Sequence, residues 1–261
     1  TYSATISSGS GTLSGATGNL TGGAGTAYVQ ATSGTSIGVT MTVYDAAGNS
    51  TTTSTTAAVD LVRPTIASLA IDDGWINDSE YASGVPVIIT TGSNEAPGGG
   101  YQANVTTGNA IFATGGTASQ TGALTGTTTE VDLEPTGTGN ITVEVMVTDA
   151  AGNASHVSPD PWPSATATVD RVAPTAPAVE IEDGTDDTIN IAENQAGVPI
   201  TVSSADAATY TVAIESGNGT LTPSAGTHDN IATQSTLEVA NGTSIEISVI
   251  AYDDAGNPSA E

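Results

Sequence analysis

One phrase returns along this chain at a fixed interval. Tyr44-Asp45-Ala46-Ala47-Gly48-Asn49, Thr148-Asp149-Ala150-Ala151-Gly152-Asn153 and Tyr252-Asp253-Asp254-Ala255-Gly256-Asn257 share an Asp-x-Ala-Gly-Asn core, and Asp45, Asp149 and Asp253 stand 104 residues apart. A period of that length within 261 residues requires a unit that folds once per period and is joined end to end. Two further phrases keep a constant order around the first. Val59-Asp60-Leu61-Val62-Arg63-Pro64-Thr65 returns as Val169-Asp170-Arg171-Val172-Ala173-Pro174-Thr175, and Ile71-Asp72-Asp73-Gly74 with Asn77 and Glu80 returns as Ile181-Glu182-Asp183-Gly184 with Asn190 and Glu193. The linker phrase recurs at a longer spacing because the second copy carries an insertion in the proline-rich Ser158-Pro159-Asp160-Pro161-Trp162-Pro163.

Unit boundaries fall at the Val-Asp-x-x-x-Pro phrases, where proline fixes φ and aspartate ends a strand. This gives a partial unit over 1–62, a complete one over 63–172 and a nearly complete one over 173–261. Tyr2 falls in phase with Tyr210, so the first unit is expected to lack its opening strands and the third its last strand. Within a unit, Ile141-Thr142-Val143-Glu144-Val145-Met146-Val147 and Ile245-Glu246-Ile247-Ser248-Val249-Ile250-Ala251 alternate with the period of half-buried strands, and no stretch sustains a helical period. Short strands punctuated by Gly, Asn, Asp and Pro predict an all-β chain, with tandem Ig-like β-sandwich domains in an elongated array. The chain has no cysteine, so neither a disulfide framework nor a thiolate metal site or nucleophile can exist.

Charge removes several classes of function. There are 28 acidic residues and 2 basic ones, Arg63 and Arg171, for a net of −26. Nucleic-acid binding needs a basic face to displace counterions from phosphates, and an anionic membrane surface repels this chain for the same reason. No apolar run is long enough for membrane insertion. Catalysis finds no Gly-x-Ser-x-Gly elbow before a helix, and His156 and His228 stand alone, so the chain is expected not to be an enzyme.

The three phrases in this order resemble the tandem bacterial Ig-like repeats that form the stalks of giant secreted adhesins, including the calcium-binding RTX adhesins. The resemblance covers the whole chain, although the glycine-rich calcium nonapeptide of RTX tails is absent. It implies an extracellular, cell-surface location, a part in cell adhesion and biofilm, and calcium as cofactor at domain junctions. The array would act as a stiff spacer whose partners are neighbouring repeats, a cell-surface or glycan target being reached through other parts of the parent protein.

Calcium takes six to eight oxygens from carboxylates, amides, backbone and water, and the repeated phrases concentrate such groups. In an Ig-like topology the F–G loop lies at the leading end of a domain and the A–B loop at the trailing end. If Asp-x-Ala-Gly-Asn is the F–G loop, the junction between copies two and three gathers Asp72, Asp73, Asn77 and Glu80 with Asp170, Asp253 and Asn257. The junction between copies one and two gathers Asp60 with Asp149 and Asn153, helped by Glu95. Asp45 and Asn49 would face a neighbour upstream, and Asp183, Asp186, Asp187, Asn190 and Glu193 one downstream. Against this stands the plainer reading that Asx side chains and glycine simply build turns.

Two other functions compete with the stalk. Trp75 and Trp162, read as loop residues, could form an aromatic platform for a glycan with Tyr81 and Tyr101. Alternatively, the acidity could reflect a high-salt surface-layer or filament subunit, with an incomplete first sandwich that invites strand addition.

Overall fold

In the computed structural model Ile141, Val143, Val145 and Val147 all face the interior at 0–1 % exposure, and Thr142, Glu144 and Met146 occupy the less buried alternate positions. The structure describes residues 1–92, 98–156, 159–183, 188–228, 233–240, 242 and 244–260. In the first copy β1 (Tyr2–Ser14), β2 (Thr17–Gly18), β3 (Tyr28–Tyr44) and β4 (Ser50–Ala58) form a sheet in the order β2-β1-β3-β4.

The second copy comprises β5 (Ile66–Ile71), β6 (Trp75–Ile76), α1 (Asp78–Ser83), β7 (Val85–Thr91), β8 (Gly100–Thr107), β9 (Ala110–Phe112), β10 (Ser119–Ala123), β11 (Thr128–Pro135), β12 (Gly139–Thr148) and β13 (Ser164–Val169). Its two sheets, β10-β8-β12-β13-β6 and β5-β7-β11-β9, enclose Val85, Val87, Ile89, Phe112 and Leu133 together with the inward face of β12. The third copy comprises β14 (Ala178–Ile181), α2 (Ile191–Ala196), β15 (Val198–Ser203), β16 (Thr209–Ser216), β17 (Gly219–Thr222), β18 (Ala225–Thr227), β19 (Thr233–Val239) and β20 (Glu246–Tyr252). Its sheets are β14-β15-β19-β17 and β18-β16-β20, around Val198, Ile200, Tyr210 and Leu237. The fold is all-β in tandem Ig-like sandwiches, as the alternation predicts.

The two helices are too short to leave a period in the sequence. Each is fixed by its first turn: the Asn77 side chain accepts from the N–H of Ser79 and Glu80 while Glu80 accepts from the Asn77 N–H, and Asn190 with Glu193 repeats this capping box. Asn194 then exchanges two hydrogen bonds with the Val239 backbone, so α2 is tied to β19.

A second device recurs that no phrase announces. Tyr2 pairs across strands with Gly18, Tyr101 with Gly122 and Tyr210 with Gly226. In each pair the ring lies over the glycine, where a Cβ would approach ring carbons at 2.9, 2.6 and 3.0 Å respectively. The tyrosines are 7 %, 8 % and 1 % exposed, so each ring closes an edge of its core while the glycine makes room for it. We expect Gly122→Ala to lower stability by about 1–3 kcal/mol through overpacking against Tyr101, measured as a fall in the denaturant midpoint with an unchanged slope; a neutral substitution would refute the steric role.

Candidate junction sites

The Asp-x-Ala-Gly-Asn loop folds the same way three times, and its own chemistry explains why. The glycines Gly48, Gly152 and Gly256 sit at φ of 89°, 90° and 81°, a region that other residues resist. With the chain turned there, one oxygen of the aspartate accepts the asparagine N–H four residues on, at 2.8 Å in all three copies. The other oxygen accepts the asparagine side-chain amide at 2.8, 2.8 and 2.9 Å in chain order. The loop joins β3 to β4 and β12 to β13, and follows β20, which places it where an F–G loop belongs.

The second amide hydrogen of the asparagine turns outward, and there the copies differ. Asn153 Nδ2 donates to the Asp60 carbonyl oxygen at 3.2 Å, and Asn257 Nδ2 to the Asp170 carbonyl oxygen at 2.9 Å. Each loop is thereby bonded to the linker aspartate that precedes its own copy. At the later seam the contact goes further: Asn257 Oδ1 accepts the Asp78 N–H at 3.0 Å, and Asn77 Nδ2 donates to the Ala255 carbonyl oxygen at 3.2 Å. The first turn of α1 is therefore docked on the loop of the next copy. Asn49 is exposed, Asn153 half-buried and Asn257 2 % exposed, so burial rises with the number of segments that close over the loop.

Both cations of the chain lie in the linkers. A terminal guanidinium nitrogen of Arg63 donates to the Ala154 carbonyl oxygen at 2.9 Å, just past the second loop. Arg171 pairs with Asp78 at 2.6 Å and lies over the Tyr81 ring at 4.0 Å. With side chains 42 % and 64 % exposed the ion pair contributes little, about 0–1 kcal/mol, and the ring contact adds positioning. A third linker contact, from the N–H and hydroxyl of Thr175 to Asp206 at 3.1 and 2.8 Å, ties the start of the third copy to the segment after β15. Sequence reasoning did not single out Asp78, Asp206 or the roles of the two arginines; only the position of both arginines inside the linker phrase could have signalled them.

Several of the remaining expected calcium ligands are engaged locally. Asp60 Oδ1 accepts the Val62 N–H, Asp170 Oδ1 the Val172 N–H, and Asp73 Oδ1 the Trp75 N–H. Asp72 holds a left-handed turn at φ 43°, and Asn77 and Glu80 are occupied as the capping box of α1, as are Asn190 and Glu193 at α2. The Asp183 N–H donates to the Ile181 carbonyl oxygen. Glu95, Asp186 and Asp187 lie outside the described residues. Among the described residues no three His, Cys, Asp or Glu side chains converge as a metal-holding group.

The aromatic residues are dispersed in their roles. Trp75 is not in a loop: it sits in β6, paired in parallel with Thr168 of β13, and closes that sheet edge. Trp162 meets His156 edge-on at 6.2 Å. Tyr101 is buried with its hydroxyl accepting from Gln120, which corrects its expected place on an exposed sugar platform. Among the described residues no helix is long and apolar enough to cross a membrane.

Residues 100–162, within the second copy, match the bacterial Ig-like domain, a shorter span than the whole-chain resemblance carried by the repeated phrases. No curated protein matches the sequence. Among solved structures, a 1.5-MDa bacterial ice-binding adhesin, studied for host cell surface retention, is 20% identical over 89% of this chain and 75% of that one, with a TM-score of 0.34. A Ca2+-stabilized adhesin that helps an Antarctic bacterium bind ice is 23% identical over 89% of this chain and 57% of that one, TM-score 0.34. A tetra-tandem repeat from the extending region of a large adhesion protein is 16% identical over 99% of this chain and 71% of that one, TM-score 0.33.

Two predictions follow from the loop. Asn257→Ala removes bonds to the linker, the loop and α1 and should cost about 1–3 kcal/mol, whereas Asn49→Ala removes an exposed local bond and should cost under about 1 kcal/mol; equal losses in urea unfolding would contradict the seam. The carboxyls of Asp45 and Asp149 are held below their ordinary value of 3.8: the Asn49 side-chain amide is the main cause at Asp45, and at Asp149 burial pushes up but the Asn153 amide and backbone N–H groups outweigh it. Thr175 likewise lowers Asp206, chiefly through its hydroxyl. A depressed carboxyl stabilises the fold above its unfolded value and loses that contribution as pH falls through the folded one. Stability should therefore fall on acidification below about pH 4, and Asp149→Asn should flatten that part of the profile.

Proposed function

We propose that this chain is an extender segment of a bacterial cell-surface adhesin, divided as 1–62, 63–172 and 173–261, whose work is to hold length and direction. The observation that supports it most is the asparagine amide of the repeated loop, bonded at both seams to the linker aspartate that precedes its own copy. A catalytic or sugar-binding site has no reason to recur with the period of the chain, but a joint does. This reading makes the protein non-enzymatic and extracellular, with neighbouring repeats as its partners and any adhesive target bound elsewhere in the parent.

Calcium stiffening of the seams is the finer part of the proposal. It is supported by acidity: Asp60 and Asp149 flank one seam, and Asp72, Asp73, Asp170 and Asp253 flank the other, in a chain of net charge −26. A divalent ion relieves repulsion among such groups. Because their side chains do not converge on one point, the ion adds to a joint that the amides already close. Thermal unfolding at fixed ionic strength in calcium, magnesium or chelator tests this part. Calcium alone should raise the midpoint by about 4 °C or more, and Asp170→Asn should reduce the gain; identical curves would overturn the calcium part. Small-angle scattering tests the joint itself, since Asn257→Ala should broaden the distribution of end-to-end lengths and a rigid wild-type profile in the variant would refute it.

A further inference from the structure

The second copy has a linker phrase on each side, and its first and last segments meet. The chain enters through 63–65 into β5, an edge strand held to β7, and leaves from β13 into 170–175. Between β5 and β6 the turn at Asp72–Gly74, with Asp72 at φ 43° and Gly74 at φ 100°, carries the chain from one sheet to the other. β6 is 2 residues long and stands at the edge of its sheet beside β13, with which it runs parallel: Thr168 pairs with Trp75 and Val169 with Ile76. The Thr168 N–H donates to the Gly74 carbonyl oxygen at 2.9 Å, and the Asp170 N–H donates to the Ile76 carbonyl oxygen at 3.0 Å.

Tension along the array pulls β6 back toward its amino end and β13 on toward its carboxyl end. Because the two strands are parallel, those pulls oppose each other along one axis, and the bonds between them are loaded sideways and together. A hairpin opened from its free ends gives way one rung at a time instead. Ile76 is fully buried and Val169 is 6 % exposed, both in the core of this copy, so neither strand slides without drawing a side chain out of its packing. The grip continues past the strands: Arg171, two residues after Val169, pairs with Asp78, two residues after Ile76, and lies over the Tyr81 ring.

From this we infer that the β6–β13 pairing is a mechanical latch, which keeps the second copy folded under tension by setting its backbone bonds and two buried side chains in shear between the two linkers. The latch differs from the seams in what it resists. A seam opposes bending between copies, whereas the latch opposes extension within one. β5 lies on the same path, but it pairs with β7 alone, and its release leaves β6 and β13 joined. The inference rests on the extender reading, because only a chain held at both ends carries such a load.

The test is single-molecule force spectroscopy on the intact chain, tethered at both ends and held at constant force. Unfolding of 63–172 is recognised by its release of about 350 Å of contour. Thr168→Pro removes the N–H that reaches Gly74, and Thr166→Pro makes the same change on the same edge of β13, two residues before β6 begins to pair. Thr168→Pro should shorten the lifetime of this copy under force about tenfold, and Thr166→Pro should leave it unchanged. Asp170→Pro, which removes the bond to Ile76 at the end of the strand, should act like Thr168→Pro and serves in its place if that variant does not fold, as judged by far-ultraviolet circular dichroism. A wild-type lifetime in both latch variants, or an equal loss in Thr166→Pro, would overturn the latch. Small-angle scattering of Thr168→Pro should match the wild type, so that failure of the latch is separable from failure of the joint, which the Asn257 variant reads.

Discussion

A primary amide offers donors and an acceptor from one rigid plane, and the seam between the second and third copies depends on that property. Asn257 gives one hydrogen to its own loop, one to the linker, and receives one from the start of α1. Three chain segments with no other reason to share a direction are thus referred to a single plane of atoms. A carboxylate of the same shape could not replace it: it has no hydrogen to give, and it would face the Asp253 carboxylate and the Asp170 carbonyl at close range. Buried at 2 % exposure, such a group would lack partners where lost partners cost most.

The same Asp-x-Ala-Gly-Asn loop appears in three settings, which separates what the loop does for itself from what the neighbour adds. The aspartate–asparagine clasp closes in every copy at nearly the same distances, so it is local. Burial of the asparagine, and the extra bonds it makes, follow from what precedes the loop. Stability in such an array is then a sum of unit terms and seam terms, and a unit inside the array is held more firmly than the same sequence at its margin.

Much of this was legible before any coordinates. The strand faces at Ile141–Val147, the turn at Gly152 and the position of the loop between two strands all follow from alternation and from glycine at a fixed offset. The helices are not, because six residues cannot show a 3.6-residue period; Asn77 and Glu80 stand out in the sequence as oxygen-bearing side chains, and the fold adds that they close the first turn of α1. Asn153 and Asn257 are expected as oxygen donors to a metal, and the structure adds that the amide hydrogens of each go to the loop aspartate and to the linker carbonyl. Residue type and spacing identify a joint, but which end of an amide faces the neighbour depends on backbone carbonyls that only the fold brings near. Of the tyrosine–glycine pairs, Gly18 and Gly226 each lie 16 residues past their tyrosines whereas Gly122 lies 21 past Tyr101, so the middle copy breaks an offset that the other two share.

The placement of the two arginines has a bearing on proteolysis. A protease that cuts after basic residues finds two candidate bonds in the 261 residues, both in linkers, where an extended array is otherwise easiest to sever. At the first, Pro64 follows Arg63 and blocks the bond. At the second, the guanidinium that such an enzyme must seize is already held between Asp78 and the ring of Tyr81. The residues that brace the seams are thus also the ones such an enzyme would have to draw out of their contacts.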